Sequence, residues 1–121
     1  MQFLYVFIGG GIGSVFRYSL SKWIPFYHGH FPFATLIANI LASLILGLLL
    51  GFSFKYNIND EYKWLLMAGF CGGFSTFSTF SAECITLLER QQPAMMVLYI
   101  VISVLTGIFA VFAGLKITGF F

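Results

Sequence analysis

Charge is scarce in this 121-residue chain, with six Lys and Arg, four Asp and Glu, and only 8% charged residues against 60% hydrophobic ones. Soluble domains carry about a quarter charged residues. A 13.5 kDa globule with so few cannot cover its surface with polar groups. The same imbalance excludes a disordered chain, which needs charge and little apolar surface. The basic residues stand singly and form no patch, which argues against a nucleic-acid binder. Cys71 and Cys84 fit no CxxC or metal-ligand spacing and read as small packing residues. His28 and His30 lie in a short polar stretch, Pro25–Pro32, that reads as an interfacial loop before it reads as a ligand pair. Pro25, Pro32 and Pro93 are the only prolines, and all lie outside the long apolar runs, where proline does least harm. The sequence shows no nucleophile–base pair, metal cluster or phosphate loop, so an enzyme is not expected. What remains is an integral membrane protein.

A helix needs ~20 apolar residues to cross the hydrocarbon core. Four segments qualify, at about 3–22, 33–54, 62–88 and 94–115, in what reads as a single membrane domain over 1–121. The first is the weakest, because Arg17 interrupts it. It lacks the basic leader and small-residue cleavage site of a signal peptide, so it reads as a retained span. The runs lack period-two alternation, which favours helices over a closed barrel. Small-xxx-small pairs at Gly9/Gly13, Gly47/Gly51 and Gly69/Gly73 predict closely packed helices.

Four spans put both termini on one side. Lys55, Lys63 and Lys116 fall on that side, and Arg17, Lys22 and Arg90 on the other. Orientation follows the Lys/Arg excess, and three against three gives none. Either one charge, such as Arg17, is miscounted, or the chain inserts both ways. In the second case two copies would meet as an antiparallel homodimer with the inverted symmetry that larger transporters build from internal repeats.

Polar groups within a span are costly and are functional candidates. Arg17 either snorkels to the interface or faces a water-filled vestibule that attracts anions. Asn39 is either a helix–helix hydrogen-bonding residue or a donor to a permeating species, and Ser103 and Thr106 carry the same two readings. The third span holds the densest signal, the run from Gly69 to Glu83. Adjacent glycines predict a helix break near Gly72–Ser75, whose freed carbonyls can coordinate a small cation. Beyond it Phe77 and Phe80 share a helix face. Ser75, Ser78 and Ser81 repeat every three residues, as do Thr76 and Thr79. These hydroxyls either bond back to carbonyls one turn earlier or face a polar path. Phenylalanine edges are positive, so rings beside hydroxyl donors suit a small, dehydrated anion. Glu83 is the one carboxylate expected within the hydrocarbon region.

At these residues the chain resembles the Fluc (CrcB) fluoride channel family. The matching pieces are Gly9 to Gly13 with Arg17 and Tyr18, Phe31 to Asn39, and above all Gly69 to Glu83. The resemblance covers essentially the whole chain. With the break expected in the third of its four transmembrane helices, it implies an all-α, dual-topology, antiparallel homodimer with two pores, exporting fluoride passively across the bacterial cytoplasmic (inner) membrane. By resemblance Phe77 and Phe80 line the pore and Asn39 stands beside them, with Ser78 and Thr79 in the adjoining hydroxyl run. Arg17 lies near the fluoride mouth, Ser103 and Thr106 form a polar track, and Glu83 is near the pore. Gly72 and Ser75 match positions whose backbone carbonyls hold a structural Na⁺ on the two-fold axis; the family often has Thr where this chain has Ser75, an exchange that a backbone ligand tolerates.

Two other readings compete. A small dual-topology drug/proton antiporter has this size, but it needs a carboxylate in the first span, and residues 3–22 contain no Asp or Glu. A non-transporting scaffold subunit would give no ion flux.

Overall fold

An apolar backbone segment in lipid must satisfy its own N–H and C=O groups, and each of the four runs does so as a helix. The computed structural model describes residues 1–27 and 30–121, so the reading of His28 lies outside the described residues. Helix α1 is Gln2–Trp23, α2 is Phe33–Tyr56 and α6 is Pro93–Ile117. Between α2 and α6 the third span covers Asp60–Glu89. There is no strand among the described residues. Each helical stretch is long and apolar enough to cross a membrane, and none runs more than two residues beyond the sequence-based limits at either end. Proline marks two starts, Pro32 at the cap of α2 and Pro93 as the first residue of α6. Asn57 ends α2 in the left-handed region with φ 51°.

The third span is composite. It comprises α3 (Asp60–Tyr62), a π-helical run Lys63–Cys71, α4 (Gly72–Phe74) and α5 (Phe77–Glu89). The interruption falls on Ser75 (ψ 156°) and Thr76 (φ −151°), both extended. It thus lies at the downstream edge of the expected position, and Gly72 and Gly73 themselves remain helical. A partner from another helix, rather than glycine's weak helix propensity, sets the exact place. The π-helical run has no counterpart in the sequence-based expectations. Its Leu65 carbonyl and Phe70 amide, five residues apart, both face Gly9 of α1.

Helix α1 lies along the first half of the third span, α2 lies along α6, and α5 leans mainly on α6. Missing side chains permit the first two contacts. A Cβ on Gly13 would run into the Phe70 carbonyl and sit 2.8 Å from the Phe74 amide, and one on Gly47 would strike the Val111 carbonyl. Two apolar clusters form the interior: Leu36, Cys84, Leu87 and Tyr99 in one, and Ala38, Ala42 and Phe74 in the other. Both cysteines are buried and free, as packing residues should be. At one end Arg90 donates to the Tyr27 carbonyl at 3.2 Å and lies 4.6 Å over the Phe26 ring. This contact joins the α1–α2 and α5–α6 connections.

Candidate functional site

An interrupted helix leaves amides and carbonyls without their usual partners, and two side chains from other spans supply some of them. Asn39 of α2 grips Thr76 from both sides: its Oδ1 accepts from the Thr76 N–H at 2.8 Å, and its Nδ2 donates to the Thr76 carbonyl at 3.2 Å. A continuous helix would have sent that N–H to the Gly72 carbonyl, which is therefore released. Arg17 of α1 donates through Nε to the Gly73 carbonyl at 3.1 Å. Thr76 then caps α5, its Oγ1 accepting from the Thr79 N–H at 3.2 Å. A thirteen-residue helix begins here, with no acidic residue in its first turn. Its positive dipole end therefore stays uncompensated at the break.

A cavity of about 270 Å³ opens beside that helix end. Asn39 and Ser43 of α2, Ser75 and Thr76 of the break, Phe77 and Phe80 of α5, and Ser103 and Val104 of α6 line it. The two phenyl rings lie 5.8 Å apart. Phe77 is 79% exposed in the single chain, whereas Phe80 packs on Tyr99 with centroids 4.9 Å apart. The Ser103 hydroxyl is buried and has no hydrogen-bond partner among the described residues. Asn39 retains one amide N–H beyond the one held by Thr76. The cavity thus combines neutral donors, two phenyl rings and a positive helix end, a set suited to a small anion. A second cavity of about 240 Å³ lies across α5, lined by Arg17, Tyr18, Ser21, Ala34, Thr35 and Thr79.

The expected site residues separate into three groups. Asn39, Ser75, Phe77, Phe80 and Ser103 meet in the first cavity, and Arg17 and Thr79 in the second. Arg17 does not snorkel; its guanidinium turns inward to the break. The others lie elsewhere. Thr106 donates to the Ile102 carbonyl at 2.6 Å and lines neither cavity. Ser78 is exposed and pairs with the Thr76 hydroxyl at 3.3 Å. Glu83 accepts from the Tyr99 hydroxyl at 3.0 Å, behind Phe80. Of the hydroxyl row, Ser75 and Ser81 bond back to Cys71 and Phe77 carbonyls, as the simpler reading holds. Gly72 faces open space, with nothing among the described residues within 4 Å of a Cβ built there.

Sequence reasoning missed Ser43 and Tyr99. Each had a usable signal: Ser43 follows Asn39 by one helical turn, and Tyr99 precedes Ser103 by one, so each pair shares a face.

Fold and site together define an α-helical, multi-spanning integral membrane protein with an interrupted helix beside a polar-aromatic cavity. The family model described as CrcB-like protein, Camphor Resistance (CrcB), matches residues 4–115, and the chain belongs to that family. Among its relatives, a protein of Erythrobacter litoralis named fluoride-specific ion channel FluC is 42% identical over 98% of this chain and 92% of its own length. Proteins of the same name from Flavobacterium psychrophilum and Pyrococcus horikoshii are each 44% identical, over 93% of both chains and over 88% and 87% respectively.

Proposed function

We propose that this chain is a fluoride-selective channel of the cytoplasmic membrane, through which fluoride leaves the cell passively. The observation that carries this reading is the first cavity, where Phe77, Phe80, the free Ser103 hydroxyl and the start of α5 converge at a mid-span break. Relatives at 42–44% identity over nearly the whole chain, named as fluoride-specific channels, supply the ion. Fluoride is a small, strongly hydrated acceptor and must exchange water for other donors. The remaining Asn39 amide hydrogen and the Ser103 hydroxyl offer strong ones, and the edges of Phe77 and Phe80 offer weaker contacts between them. Neutral donors let the ion leave again, as conduction requires. Arg17 and Thr79 form the mouth, where the guanidinium raises the local anion concentration. Ser78, Thr106 and Glu83 act at greater remove: Ser78 beside the Thr76 cap, Thr106 within α6, and Glu83 by holding Tyr99 against Phe80. The function is transfer of an ion and needs no chemistry on it.

The working form in this reading is an antiparallel, dual-topology homodimer with two pores. The even Lys/Arg balance supports it, as do the exposed Phe77 and the open face at Gly72. A structural Na⁺ belongs to the same reading, supported by the carbonyls freed at the break. The Gly72 carbonyl is released because Asn39 takes the Thr76 N–H. The Ser75 hydroxyl is turned back to Cys71, leaving that residue its carbonyl as the group to offer. Neutral backbone oxygens suit a hard monovalent cation, and a second copy doubles their number. The antiporter reading gains no support, because α1 has no acidic residue and the relatives reported above are named as channels.

Fluoride efflux from proteoliposomes, followed with a fluoride electrode, tests the function. Rapid efflux that chloride does not match is expected. Absence of fluoride efflux from a monodisperse preparation would leave the scaffold reading in its place.

A further inference from the structure

Hydroxyls in apolar helices can donate to the carbonyl one turn earlier, and several in this chain do. Ser75, Ser81, Thr86 and Thr106 donate to Cys71, Phe77, Ala82 and Ile102. Two hydroxyls lining the first cavity differ: neither Ser103 nor Ser43 makes a side-chain hydrogen bond among the described residues. Ser43 is half-buried on α2, one turn beyond Asn39. Opposite it on α6 stands Gly107, one turn beyond Ser103. A Cβ at Gly107 would lie 3.8 Å from the Ser43 Oγ and would meet nothing nearer. The space beside the Ser43 hydroxyl therefore exists because α6 carries no side chain at that level.

We propose that Ser43 is a further ligand of the permeating ion, its hydroxyl continuing the line of donors that Ser103 begins. This rests on the fluoride-channel reading and adds a step to the path. Asn39 and Ser43 stand on one face of α2, and Ser103 and Gly107 on one face of α6. An ion leaving Ser103 at the level of Gly107 finds its next donor on α2 instead of α6. A merely structural Ser43 would be a small residue easing the α2–α6 contact, a role alanine performs equally well.

The test is fluoride efflux from proteoliposomes holding the unaltered chain, Ser43→Ala, Ser43→Thr and the double variant Ser43→Ala/Gly107→Ser. Elution as a monodisperse species is required of each. Ser43→Ala should lower the rate by about tenfold, the scale of one lost hydrogen bond to a charged group. Ser43→Thr keeps a hydroxyl and should retain most of the flux. The double variant moves the hydroxyl to the facing helix and should recover part of it, which no packing role would produce. Ser53→Ala, further along α2 and outside the cavity, should conduct as the unaltered chain. Unchanged efflux in Ser43→Ala, or equal losses in all three Ser43 variants, overturns the proposal. No efflux from the unaltered chain would overturn the channel reading, and this subsite with it.

Discussion

The two halves of the third span are built on opposite terms. The first half, Asp60 to Phe74, is pressed against α1 so closely that backbone meets backbone at Gly9, Gly13 and Gly73. Its side chains matter less than their absence, and its helical register widens to the π form along the contact. The second half, Phe77–Glu89, leans on α6 through side chains such as Phe80 on Tyr99. It leaves Phe77 and Ser78 exposed. Rigid backbone packing holds the break in place, and the looser half presents rings and a helix end to the cavity. Substitutions in the two halves should therefore fail in different ways.

The largest effect is expected from the tight half. Gly13→Leu forces a side chain into the Phe70 carbonyl, and backbone atoms cannot yield as a flexible side chain does. Overpacking costs about 1–3 kcal/mol in a core that can adjust, and this contact should reach the upper end or pass it. Size-exclusion chromatography should show loss of the monodisperse species, and flux should disappear with it. A well-folded Gly13→Leu variant would remove the contrast between the halves.

In the second half the loss should be of conduction alone. Phe77→Ile and Phe80→Ile remove the ring edge but keep apolar bulk, so the protein should still elute as before. Fluoride efflux should fall by about tenfold or more, a barrier increase of ~1.4 kcal/mol. Unaltered flux in both variants would make the rings packing residues only. Asn39→Asp should also reduce flux, because the carboxylate can neither donate to the Thr76 carbonyl nor tolerate a nearby anion.

Gly72→Val sharpens the comparison at the boundary between the halves. Among the described residues nothing lies within 4 Å of a Cβ there, and the helix-propensity change is under ~1 kcal/mol. The single chain should fold, whereas an antiparallel pair meeting at that face should be weakened. Cross-linking in detergent measures this, and an undiminished dimer would place the two-fold contact elsewhere. The smallest effect is expected at Phe54→Ile. Phe54 is 64% exposed at the far end of α2 and touches Phe120 with centroids 5.0 Å apart. Stability should change by ~0.5 kcal/mol or less, and efflux should match that of the unaltered chain.

Much of the molecule was legible in its residues, because the strongest constraint on it is local. Lipid offers a backbone no partners, so apolar length alone marked out the four helices, with the prolines falling outside the long apolar runs. The Gly69–Glu83 run showed where the span would break and which rings would follow. The roles of the polar side chains were not local and could not be read in this way. Asn39 offered the same amide to a neighbouring helix or to an ion, and only the approach of α2 to Thr76 divided it, one N–H to the backbone and one left over. Arg17 had two open positions until α1 packed against Gly73. Thr106 and Ser103 looked alike in sequence, yet one turns back on its own helix while the other is left unpaired. Hydropathy is a sum along the chain and survives any arrangement of the helices. A hydrogen-bond donor's partner depends on a few ångströms between residues far apart in sequence, and only the assembled helices supply that distance.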